Sequence, residues 1–122
     1  MSDRRDFIEA YIECAFWADA EGEDFTGDEM PSDELMERLR ADAGAFFDAN
    51  EADILAEGAC SYTGCSPAAY AGHDFWLTRN GHGAGFWDGD WRQPEADRLD
   101  AAAKAFGSFD LIAGDDGLIY GM

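Results

Sequence analysis

The chain has 122 residues, 27 of them acidic and 8 basic, for a formal net charge of −19. That length suits one domain with a real core, and a hydrophobic content of 47% with 14% aromatics excludes a disordered polyanion. A charge of this sign repels nucleic acid and anionic membranes, so it excludes direct binding to either and favours a basic partner surface.

Residues 2–19 read as a helix. Ser2 caps it, Asp3 and Asp6 suit its first turn, and Phe7, Ile8, Tyr11, Ile12, Ala15 and Phe16 recur at helical spacing. Residues 19–31 (DAEGEDFTGDEMP) cannot extend it, because Gly22, Gly27 and Pro31 interrupt them; they read as an acidic loop with Phe25 and Met30 turned inward. Ser32 opens a second helix with a stripe of Leu35, Leu39, Ala43 and Phe47, joined by Met36 and Phe46. A break or kink is expected near Asn50, and Gly58 is a natural stop. Residues 58–72 are small and polar, a loop in which Ser66 caps one helical turn starting at Pro67.

Residues 73–91 (HDFWLTRNGHGAGFWDGDW) hold both histidines and three of the four tryptophans. Two aromatic runs around Asn80-Gly81 predict a β-hairpin, since Asn and Gly reach positive φ cheaply. Arg92 to Gly107 predicts a further helix, and the runs Phe109–Ala113 and Leu118–Tyr120 around Gly114-Asp115-Asp116-Gly117 a second hairpin. The expected fold is α+β and a single domain over 1–122. Two N-terminal helices in an acidic half (1–57) precede a hairpin-helix-hairpin half (73–122), whose four-stranded antiparallel sheet carries helices on one face.

Several constellations invite chemistry. Cys60, Cys65, His73 and His82 contain the residue types of a tetrahedral zinc site, but their spacing, C-x4-C-x7-H-x8-H, lacks a tight knuckle. Asp74, Asp88 and Asp90 offer oxygen ligands, yet chance clusters are expected among so many acids. Asp115-Asp116-Gly117 lacks the remainder of a calcium loop. Cys60 or Cys65 with His73 has no third orienting group, and GHGAG at 81–85 has neither the lysine nor the following helix of a phosphate loop. The sequence therefore predicts no catalytic residue, no metal and no cofactor. No apolar run reaches the length of a membrane span, no secretory signal opens the chain, and three cysteines are too few for a disulfide scaffold. These features predict a cytoplasmic protein with no membrane association.

Three segments, AGHDFWLTRNGHGAGFWD (71–88), the helix from Leu99 to Gly107, and FDLIAGDDGLIY (109–120), together resemble a group of small phage- and prophage-encoded proteins. The resemblance carries no assigned activity, cofactor or catalytic residue; it implies a phage-related context inside a host cell.

The acidity is uneven: residues 1–57 hold 18 acids and 4 bases. A halophilic or GC-rich source explains an acidic surface, but less readily its concentration in one half. Small acidic phage proteins act against host defence by occupying nucleic-acid sites, and carboxylates along helices can approach the charge spacing of duplex DNA. The expected function is a non-enzymatic anti-restriction or anti-CRISPR inhibitor, a DNA mimic whose partner is a basic nucleic-acid-binding protein of a defence system. The expected partner-binding residues are Asp19, Glu21, Glu23, Asp24, Asp28, Glu29, Asp33, Glu34, Glu37, Asp42, Asp48, Glu51 and Asp53. The alternative is a phage structural or regulatory adaptor that binds through an exposed aromatic patch around Trp76 and Trp87. A continuous negative stripe free of arginine favours mimicry; an apolar patch among scattered charges favours the adaptor.

Overall fold

A computed structural model describes residues 2–20 and 25–122. Its elements in chain order are α1 (Asp3–Asp19), β1 (Met30–Pro31), α2 (Asp33–Ile54), α3 (Pro67–Arg79), α4 (Glu95–Ala105), β2 (Leu111–Ala113) and β3 (Leu118–Gly121). The first two helices start where side-chain caps dictate. Ser2 Oγ accepts from the Arg5 amide and Ser32 Oγ from the Leu35 amide, each satisfying one of the open donors of a first turn. No break forms at Asn50: α2 runs through to Ile54, with the Asn50 side-chain Nδ2 donating to the Phe46 carbonyl at 2.9 Å.

The hairpin expected at 73–91 does not exist. Its first arm belongs to α3, which Ser66 caps through the Ala69 amide, and Asn80-Gly81 ends this helix instead of turning a hairpin. Gly81 takes a φ of +69°, and the His82 amide reaches back to the Leu77 carbonyl at 3.0 Å. The physical reason lies in burial. Ala68, Ala71, Gly72, Phe75, Trp76 and Arg79 are all buried and recur every three or four residues, so α3 is a central helix whose apolar face meets α1 and the aromatic core. Gly72 sets how close α1 comes: a Cβ there would lie 2.4 Å from the Phe7 carbonyl oxygen and 2.9 Å from the Tyr11 amide nitrogen. The second arm forms turns, with Phe86 and Trp91 buried and the Phe86 amide bonded to Thr78 Oγ1 at 3.1 Å.

The sheet therefore has three strands and is mixed, not four-stranded and antiparallel; the α+β class stands. β2 and β3 form the expected C-terminal hairpin, with Ile112 opposite Tyr120. The third strand comes from the segment read as an acidic loop: β1 pairs parallel with the outer edge of β3, Met30 opposite Leu118 and Pro31 opposite Ile119, giving the order β1-β3-β2. Two bonds fix it, from the Met30 amide to Gly117 O at 3.0 Å and from the Ser32 amide to Ile119 O at 2.9 Å. Met30 faces solvent rather than the core, while Phe25 packs against the core as expected. Residues Cys60 and Trp91 form an isolated bridge that ties the loop after α2 to the segment before α4.

The core is aromatic. Phe46 and Phe75 stack at 4.1 Å, Tyr11 stacks on Phe75 at 4.8 Å, and Phe7, Trp76 and Phe86 complete the cluster. Arg79 lies inside it with its side chain only 1% exposed. Its guanidinium donates to Tyr11 Oη and Asp42 Oδ2, both at 2.9 Å, and to the carbonyls of Gly107 and Phe106 at 2.8 and 3.3 Å. It also lies 5.5 Å from the ring centres of Phe75, Phe106 and Phe109. One side chain thus joins α1, α2, α3 and the end of α4. A buried charge is tolerable only with this degree of pairing.

Candidate functional site

The predicted acidic residues separate into distinct settings. Glu21, Glu23 and Asp24 lie outside the described residues. Asp19, at the end of α1, accepts from the indole Nε1 of Trp76 and lies 3.0 Å from His82 Nε2. Asp42 holds both Arg79 and Arg38, at 2.9 and 3.0 Å. Asp48 pairs with Arg4 at 3.0 Å and Asp53 with Arg98 at 2.7 Å. Glu29 folds back onto its own loop, and the bond from the Thr26 amide holds its carboxyl below the ordinary range. Asp28, Asp33, Glu34, Glu37 and Glu51 are exposed and make no ion pair among the described residues.

An unbroken acidic row along α2 does not form. Asp33, Glu34 and Glu37 occupy its first turns and Asp48 and Glu51 its last. Between Glu37 and Asp48, roughly 16 Å along the axis, lie Arg38, Arg40 and the side chain of Arg4, whose guanidinium covers Gly44. Ion pairing nevertheless leaves the surface strongly negative. Arg4, Arg5, Arg38, Arg79, Arg92, Arg98 and Lys104 are each bound to a carboxylate within 3.0 Å, so of the eight basic residues only Arg40 makes no such pair among the described residues.

A second acidic row, absent from the sequence reading, follows α1. Asp6, Glu9 and Glu13 stand at i, i+3 and i+7 on the side away from Phe7 and Tyr11, spanning roughly 10 Å. They form one wall of an open cleft of about 440 Å³. The facing wall holds Tyr62, Cys65, Tyr70 and His73. Glu9 is bonded to Arg5 at 2.9 Å, and Glu13 Oε1 lies 3.8 Å from His73 Nε2.

The tyrosines form a supported stack. Tyr62 lies on Tyr70 with ring centres 4.3 Å apart and planes 11° from parallel, and Tyr70 lies on Trp91 at 6.5 Å. Tyr70 Oη donates to Asp90 Oδ2, and Trp91 Nε1 donates to Asp74 Oδ2 at 2.8 Å. Asp74 is buried in the middle of α3. Burial raises its carboxyl to about 7, nearby Asp88 and Asp90 push in the same direction, and the Trp91 bond opposes them. Burial also raises the thiols of Cys60 and Cys65, with Asp74 adding to it; Cys14 is pushed up to about 12 by burial. On balance these surroundings lower none of the three thiols towards the thiolate that a reactive cysteine uses. Among the described residues, no three His, Cys, Asp or Glu side chains are placed to hold a metal ion, and no helix is long and apolar enough to cross a membrane.

The aromatic patch expected around Trp76 and Trp87 is not formed by that pair. Trp76 is wholly buried, whereas Trp87 is 53% exposed and Trp17, near the end of α1, is 68% exposed. The chain matches no protein-family model, no curated protein and no solved structure.

Proposed function

We propose that this protein is a non-catalytic binding protein that presents its acidic surface to the nucleic-acid groove of a basic partner, the mode of action of a DNA-mimicking anti-restriction or anti-CRISPR inhibitor. The observation that supports it is the distribution of charge: seven of the eight basic side chains are consumed by carboxylates of the same chain, so the rest of a −19 surface has little cation of its own to face. A surface of this kind steers basic partners from a distance and is screened by salt. The phage context implied by the sequence resemblance agrees with this reading.

The experiment is capture of a partner from bacterial lysate on the immobilised protein, followed by elution with an oligonucleotide duplex at constant ionic strength. Release of a nucleic-acid-binding protein by the duplex is the expected outcome. A partner released by neither duplex nor salt contradicts the reading. The adaptor alternative rests on exposed Trp17 and Trp87. It predicts binding that tolerates salt and is lost when one of these two is truncated.

A further inference from the structure

We infer that the cleft between α1 and the Tyr62–Tyr70 stack is a recognition site for an arginine side chain of the partner. The inference rests on the acidic-binder reading for its biological setting, but its chemistry stands on the cleft alone. Its two walls make separate contributions. Asp6 and Glu13 make no ion pair with an arginine or lysine among the described residues, and neither Arg nor Lys lines the cleft. Facing them is a planar aromatic platform rather than further charge. Tyr62 ends the stack, is 45% exposed, and has no aromatic neighbour beyond Tyr70 among the described residues. Part of its ring thus faces solvent and the cleft, where a flat cation can reach it.

The platform is built before any ligand arrives. Asp90 fixes the Tyr70 hydroxyl, Trp91 supports the Tyr70 ring, and buried Asp74 fixes Trp91. Gly64 lets the outer ring lie down, since a Cβ at that position would come within 2.3 Å of Tyr62 Oη. A preorganised ring beside carboxylates selects guanidinium over ammonium: arginine is planar, stacks on aromatic faces and is more weakly hydrated, whereas lysine is a compact, strongly hydrated point charge. Arginine stacks on nucleic-acid bases in the same manner. In this cleft Tyr62 takes the place of a base, and Asp6 and Glu13 the place of phosphates.

The test is a titration of the full-length protein, followed by ¹H–¹⁵N NMR, with two blocked peptides that differ only in carrying one arginine or one lysine. The arginine peptide should shift the amides around Tyr62, Tyr70, His73 and Glu13 and bind about two- to fivefold more tightly than the lysine peptide. Tyr62→Ala and, separately, Gly64→Ala should each abolish that preference while leaving lysine binding unchanged. Asp6→Asn with Glu13→Gln should weaken both peptides. Gly64 has an ordinary backbone conformation and its added Cβ meets only a movable side chain, so Gly64→Ala keeps the test intact should Tyr62→Ala unfold. Equal affinity for the two peptides, or an arginine preference that survives both ring variants, overturns the inference. Because the peptides are defined, this result is independent of duplex elution: a failed cleft leaves the charge reading standing, and a failed duplex experiment leaves the cleft standing.

Discussion

Asp74 is buried and Asp42 half-buried against the core, whereas Glu37 and Glu51 lie on the outside of α2, and it is the surroundings that set the four carboxylates apart. Asp42 is the counter-ion of a guanidinium buried among phenylalanines, and Asp74 holds the indole of Trp91. Glu37 and Glu51 have no ion-pair partner among the described residues. In a chain with so many acids, composition says little about any one of them. The interior set fixes where helices sit, and the exterior set leaves unpaired negative charge on the surface. Substitutions should therefore separate the two: interior changes move stability, exterior changes move only binding.

The largest effect is expected at Arg79. Arg79→Met leaves Asp42 with Arg38 alone and deprives Tyr11 Oη and two carbonyls of their donor, and should destabilise by about 3–5 kcal/mol in urea unfolding. An unchanged unfolding midpoint would place the centre of the fold elsewhere. Asp74→Asn comes next, and its effect depends on pH. The folded-state carboxyl is raised from 3.8 to about 7, so its contribution to stability is full below about pH 4 and is lost as pH rises towards and through 7. The asparagine variant keeps an acceptor for Trp91 without this loss. It should match wild type near pH 4 and exceed it at pH 8, by on the order of 3 kcal/mol. Parallel stability curves for the two proteins between pH 4 and 8 would contradict the burial of a charge there.

A smaller loss, about 1–3 kcal/mol, is expected for Gly72→Ala, because the added methyl group meets α1 backbone that has no room to yield. Smallest of all are Glu37→Gln and Glu51→Gln, which should each stay within about 0.5 kcal/mol of wild type in thermal unfolding. A larger shift at either would mean that the exterior set also supports the fold.

The same contrast explains what could be read from the sequence. Capping signals at Ser2, Ser32 and Ser66 mark three helix starts, and the Gly114–Gly117 turn marks the C-terminal hairpin; these are local features, and they formed where expected. The 73–91 segment misleads because Phe75, Trp76 and Thr78 favour strands locally, while the spacing Ala68, Ala71, Phe75, Arg79 belongs to a helix enclosed by its neighbours. That spacing was legible, and tertiary burial decided in its favour. β1 has two residues and no pattern of its own; only the free edge of β3 makes it a strand. The cleft was partly legible, in the spacing of Asp6, Glu9 and Glu13. Tyr62 stands in a small polar stretch with nothing to announce a stack on Tyr70 eight positions later. Nor could the ion pairing of Asp42, Asp48 and Asp53, which joins residues far apart in the chain, be read from neighbours.

The most direct test of the central claim is the salt dependence of partner binding for three proteins: wild type, a variant with Asp33, Glu34, Glu37 and Glu51 all neutralised, and Asp42→Asn. Binding to a nucleic-acid groove through charge predicts that wild-type affinity falls linearly on a log–log plot against salt. The four-site variant should show a shallower slope at unchanged melting temperature, and Asp42→Asn should keep the slope but melt earlier. Equal slopes for wild type and the four-site variant, or affinity that persists near molar salt, would contradict the account.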